Sequence, residues 1–104
     1  MSRDIERTIK EDLDVRALCT ALQATCGNED LMLKFLRDLL TFEELRRVAH
    51  RWAVARKLLQ GKKQVEVAKE LALSTKTVSN VAQWVKGPYA TGGFAEVFHL
   101  EQEK

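Results

Sequence analysis

The chain has little of what marks an enzyme, a membrane protein or a disulfide scaffold. It holds one proline, Pro88, and no evident strand run, so an all-α fold is expected. No apolar run approaches the ~20 residues that span a bilayer. The opening MSRDIERTIKEDLD is charged and lacks the apolar core of a secretory signal. A cytoplasmic location follows as the expectation. The two cysteines, Cys19 and Cys26, lie seven apart on one expected helix. They read as small core residues rather than a bridge, since a reducing compartment keeps thiols free. His50 and His99 are the only histidines, and no HExxH, paired-Cys motif, nucleophile elbow or phosphate-cradling glycine loop is present. Those absences argue against an enzyme and against any metal or cofactor. The length fits one domain, 1–104, with a modest core.

Net charge is small, +2, but the charges are unevenly spread. Residues 1–45 carry six basic and ten acidic side chains, −4; residues 46–92 carry ten and two, +8; residues 93–104 carry one and three, −2. From Arg46 to Lys63 there are seven Lys or Arg and no acid. Such a block is the electrostatic footprint of a nucleic-acid face.

That block leads into Gln64–Val85, QVEVAKELALSTKTVSNVAQWV. Val67, Ala68 and Leu71, then Val78, Val81 and Val85, recur at helical spacing, with a turn at Ala72-Leu73-Ser74 between them. Ser74 or Thr75 can cap the second helix. The small Ala68 permits a close crossing. This is the helix-turn-helix pattern, whose second helix enters the major groove of DNA. One position departs from it: the turn residue is Ala72, where Gly is usual, and a left-handed conformation there costs energy.

The flanking chain is also helical by period. Ile5, Ile9, Leu13, Ala17, Leu18, Ala21 and Leu22 predict one helix from Ile5 to about Cys26, ended by Gly27, with Asn28 capping the next. That next helix runs to about Leu40. Thr41 and Glu44 have capping-box spacing and open the longest helix, which stops at Gly61. Its apolar stripe is read as Leu45, Val48, Ala49, Trp52, Ala55, Leu58 and Leu59. After the breakers Gly87-Pro88 and Thr91-Gly92-Gly93, residues 94–100 suit a last short helix. These stripes exceed what one small monomer can bury, so a homodimer is expected. Within it, 1–61 supply dimerisation helices, 62–86 the helix-turn-helix and 87–104 a segment docking on the dimer. Two reading helices would then address half-sites one turn of DNA apart, roughly 34 Å.

The ordered set Leu40-Thr41, Arg51, Leu58-Leu59-Gln60-Gly61 and the helix-turn-helix from Gln64 resembles the tryptophan repressor family over about residues 28–86. It is most similar to the tryptophan-repressor-like branch, which keeps a Gly-Gly-aromatic segment such as Gly92-Gly93-Phe94. The resemblance implies an intertwined all-helical homodimer. The tryptophan repressor is itself a standing example of this docking mode, so that geometry is inherited from the resemblance. It also implies a corepressor slot between the long helix and the reading helix. Thr41, Arg51 and Thr77 match retained positions there. The family's carboxylate-holding Arg is replaced by Asn80, a Gly by Val81 and a Ser by Trp84. A lost cation removes a bond worth about 1.5–3 kcal/mol, and the two larger side chains add bulk. Tryptophan is therefore not expected as corepressor; the identity or existence of another effector stays open.

Residue chemistry divides the motif. Val78 and Val81 face the core, while Thr75, Lys76, Ser79, Asn80 and Gln83 point away, with Ser74 at the first turn. Asn and Gln can pair with adenine, Lys with guanine, and a Thr methyl with thymine. Gln64 stands at a helix N-terminus suited to phosphate, and Lys62, Lys63 and Arg56 suit backbone contacts. The function expected is a sequence-specific DNA-binding regulator, a repressor, with DNA and a second copy as partners and no membrane. The rival is an interaction module that uses the helix-turn-helix as a docking scaffold for the transcription machinery.

Overall fold

The structure, a computed structural model, describes residues 3–103, with Arg3, Asp4 and Glu6 described through their backbone alone. Met1, Ser2 and Lys104, which the single-domain expectation includes, lie outside the described residues. The helices are α1 Arg3–Glu11, α2 Leu13–Ala24, α3 Glu29–Leu39, α4 Phe42–Leu59, α5 Gln64–Leu71, α6 Thr75–Val85 and α7 Gly93–Gln102. No strand occurs among the described residues, so the fold is all-α as expected. Packing divides the chain into two compact units, Met1–Leu45 and Arg46–Lys104.

In the first unit, the single helix expected from Ile5 to Cys26 is two. Asp12 is extended (φ −69°, ψ 118°), and its carboxylate accepts from the amides of Asp14 at 2.9 Å and Val15 at 3.0 Å. The apolar period runs unbroken through Ile9 and Leu13, so it hides the break; the cap chemistry of Asp12 makes it. Gly27, at φ 83°, closes the turn after α2, and Asn28 caps α3 by accepting from the Leu31 amide at 3.0 Å. Thr41 and Glu44 form the expected reciprocal capping box on α4, at 3.1 and 2.9 Å. Cys19 and Cys26 are exposed free thiols, not the core residues the sequence suggested. Cys19 lies on α2 and Cys26 in the turn that follows it. Among the described residues of this unit no apolar side chain is buried; the buried one is Thr25, whose hydroxyl donates to the Leu22 carbonyl at 2.7 Å.

The second unit holds the core: Val54 and Ala55 of α4, Val67 and Ala68 of α5, and Val78, Val81 and Val85 of α6. Trp52, Leu58, Leu59, Leu71, Leu73 and Phe94 pack against it. Every buried residue of that cluster is Val or Ala. Short side chains let the helices approach closely, and each buried Val contributes about 1.5–3 kcal/mol relative to exposure. The stripe expected on α4 is corrected in two places. Val48 is 51% exposed and Ala49 is also exposed, while Val54, not expected inside, is 1% exposed. Val54 shares a helical row with Arg47 and Arg51, so its polar neighbours disguised it. The end of α4 is closed by Gly61 at φ 94°, with the Lys62 amide donating to the Lys57 carbonyl at 3.2 Å and the Gly61 amide to Leu58 at 3.0 Å. In α7, Phe98 is buried and the Phe94 ring stacks on Trp52, centroids 5.9 Å apart.

Candidate nucleic-acid interface

The turn between α5 and α6 fixes how α6 is presented. Ala72 is left-handed (φ 55°, ψ 43°), the sole non-glycine residue at positive φ among those described. The Leu73 amide donates to the Ala68 carbonyl at 2.9 Å and the Ala72 amide to the Lys69 carbonyl at 3.4 Å, the paired hydrogen bonds of a tight helix end. Ser74 then caps α6: its hydroxyl accepts from the Thr77 amide at 3.1 Å and lies 2.8 Å from the Thr77 hydroxyl. Its oxygen is thus committed to the helix. Val78, Val81 and Val85 are buried on one face.

The remaining face carries the candidate reading residues. Thr75, Lys76, Asn80 and Gln83 are exposed, and Ser79 is half-buried. Lys63 and Gln64 are exposed at the start of α5, where Glu66 reaches back to the Lys63 amide at 3.3 Å. A groove of about 540 Å³ brings together Lys62, Lys63 and Gln64 with Ser79, Gln83 and Lys86. Three lysines beside a helix N-terminus suit a polyanion backbone. Lys86 was not singled out from the sequence, though it lies one turn beyond Ala82 on the same row. Gly87 borders the groove because nothing larger fits: a Cβ there would stand 2.7 Å from the Gln83 Cα.

Lys62 is already engaged. Its ammonium pairs with one carboxylate oxygen of Glu70, and Lys57 holds the other at 3.0 Å. The Lys62 hydrogen bond, then that of Lys57, holds the Glu70 carboxyl below its ordinary range. Arg56 pairs with Glu101 at 3.6 Å.

On the other flank of α6 lies a pocket of about 260 Å³. Arg47, His50, Arg51 and Val54 line it from α4, Leu73 from the turn, and Thr77, Asn80, Val81 and Trp84 from α6. Of the slot residues the resemblance implied, Arg51, Thr77, Val81 and Trp84 meet here. Thr41 belongs to the first unit, where it caps α4. Trp84 is 37% exposed and its ring lies 5.3 Å from Tyr89, so it walls the pocket without closing it. Arg47 and His50 were missed as lining residues. Their signal was present, since 47, 50, 51 and 54 follow the three- and four-residue spacing of one helix face. No group of His, Cys, Asp and Glu able to hold a metal occurs among the described residues, and no helix among them is long and apolar enough to cross a membrane.

Two helices joined by a tight turn, the second with one buried and one polar face inside a basic block, define a helix-turn-helix module. Residues 13–101 match the family model described as Trp repressor protein, and the chain belongs to that family. No curated protein and no solved structure matches it. Membership points to a DNA-binding helix-turn-helix regulator and away from an enzyme.

Proposed function

We propose that the protein is a sequence-reading transcriptional repressor, cytoplasmic, acting on double-stranded DNA as a homodimer and without tryptophan as corepressor. The observation that carries the reading is the division of α6. Val78, Val81 and Val85 hold it to the core, while Thr75, Lys76, Ser79, Asn80 and Gln83 are left to meet base edges. The +8 balance of residues 46–92 supports it. Lys63, Gln64 and Ser74 complete the contact set, with Ser74 acting chiefly through its cap; Lys62 lines the same groove but is held by Glu70.

Residues 1–61 are assigned to dimerisation, 62–86 to reading and 87–104 to docking on the dimer. Exposed Ile5, Ile9, Leu13, Leu31, Leu39 and Phe42 favour pairing of the first part with a second copy. The pocket beside α6 has Asn80 where the family's carboxylate-holding Arg would stand, and it is crowded by Val81 and Trp84. Its volume is below the roughly 300 Å³ of ordinary small-molecule sites. These features disfavour tryptophan.

Selection of bound duplexes from a randomised library, with no ligand added, tests the proposal. The expected outcome is a two-fold symmetric motif with half-sites one helical turn apart. A folded dimer that binds no duplex at low salt would leave the protein-docking scaffold as the better reading. Calorimetry should show no saturable uptake of tryptophan at micromolar concentrations; such uptake refutes the corepressor part.

A further inference from the structure

The basic segment 46–92 contains two acids, Glu66 and Glu70. Glu66 has a structural task, reaching the Lys63 amide at the start of α5. Glu70 caps nothing; it bridges Lys57 and Lys62 with its two oxygens. The closing turn of α4 sets those lysines up, since the Lys62 amide donates to the Lys57 carbonyl. Lys62 also lines the groove with Lys63, Gln64 and Lys86. While it is paired with Glu70, its charge is largely offset toward a DNA phosphate.

We infer that Glu70 is a tethered phosphate mimic, anchored by Lys57, that withholds Lys62 from the DNA backbone and so limits sequence-independent binding. The inference rests on the DNA-binding reading. Its energetics are those of an exposed pair: the side chains of Glu70, Lys62 and Lys57 are 38%, 35% and 30% exposed. Such a pair shifts an equilibrium by about fivefold at most. That suits a brake rather than a block. Phosphate contacts supply essentially all of non-specific affinity, and each one raises the salt slope by about 0.9. Withholding one lysine per chain therefore acts where base contacts contribute nothing.

A double-mutant cycle on the full chain tests this, using a random-sequence duplex and a salt series. Glu70→Gln should tighten binding about three- to fivefold per chain at low salt and steepen the slope by about 0.9. Lys62→Gln alone should change the slope little, because that lysine is already held. Lys62→Gln added to Glu70→Gln should cancel the gain, a strong non-additivity. Glu96→Gln on α7 removes an equal charge and should give a smaller effect. If Glu70 merely relieves repulsion between Lys57 and Lys62, Glu70→Gln lowers the melting temperature with an unchanged or weaker salt slope, which overturns the inference. The Lys62→Gln arm stays decisive even then: a slope falling by about 0.9 in the wild-type background would also overturn it. Absence of any duplex binding by the wild-type chain at low salt would instead sink the DNA-binding reading, and this inference with it.

Discussion

Ala72 sits where a side chain is least welcome, at φ 55° in the turn between α5 and α6. A Cβ in the left-handed region costs about 1–2 kcal/mol, offset in part by the smaller unfolded-state entropy of alanine. Ala72→Gly should therefore raise stability by about 0.5–1 kcal/mol, read as a shift in the urea midpoint with unchanged slope. Lys76, exposed on the first turn of α6, gives the matching functional test. Lys76→Ala should weaken operator binding by about 1–3 kcal/mol if it reads a base; equal losses on operator and scrambled duplexes would assign it to phosphate. Residues with local tasks were legible from the sequence. Asn28, Thr41, Ala72 and Ser74 act within a few positions of themselves, so spacing reveals them. Arg47, His50 and Val54 share a helix row that spacing reveals, but only the packing of α4 against α6 turns that row into a pocket wall.

At the scale of elements, α6 depends on how it starts and stops. Ser74→Ala removes the hydroxyl that receives the Thr77 amide and should cost about 1 kcal/mol, visible in thermal melts. At the other end, Gly87→Ala would drive a methyl into the Gln83 backbone, with the carbonyl oxygen 2.8 Å away. Overpacking of that kind costs typically about 1–3 kcal/mol. It should also lower DNA affinity, because Gln83 is displaced with it. The bounds of the helices from α3 onward lie close to those the sequence predicts. The break at Asp12 is not predicted, since Ile9 and Leu13 keep the period on either side of it. A single capping carboxylate outweighs a pattern that is indifferent to where one helix ends.

For the whole molecule, charge and burial are distributed differently. The two acids of the basic segment are local fixtures, and Glu70 makes one of them sensitive to pH. Its carboxyl is held below the usual range, chiefly by Lys62, so its folded form binds protons less readily than the unfolded chain. The stabilisation is present above the ordinary carboxylate range and is lost as pH falls through the folded value. Wild type and Glu70→Gln should thus differ in melting temperature at neutral pH, by little given the exposure, and converge in acid. Exposed apolar side chains point to association. Phe42 is 72% exposed and Leu13 82%. Sedimentation should find two copies per particle, and Phe42→Glu should shift the balance toward one.

The absence of a buried apolar side chain among the described residues of the first unit bears on how the protein is made. Ribosomes extend a chain N-terminus first, at about 5–20 residues per second. Residues 1–45 are therefore complete about 0.5–2 seconds before Val54 and about 2–7 seconds before Val78, around which the core forms. During that interval Ile9, Leu13 and Leu31 have water, a chaperone or a neighbouring nascent chain as their available company. Two chains growing side by side on one message could each cover the other's apolar stripes before either is finished.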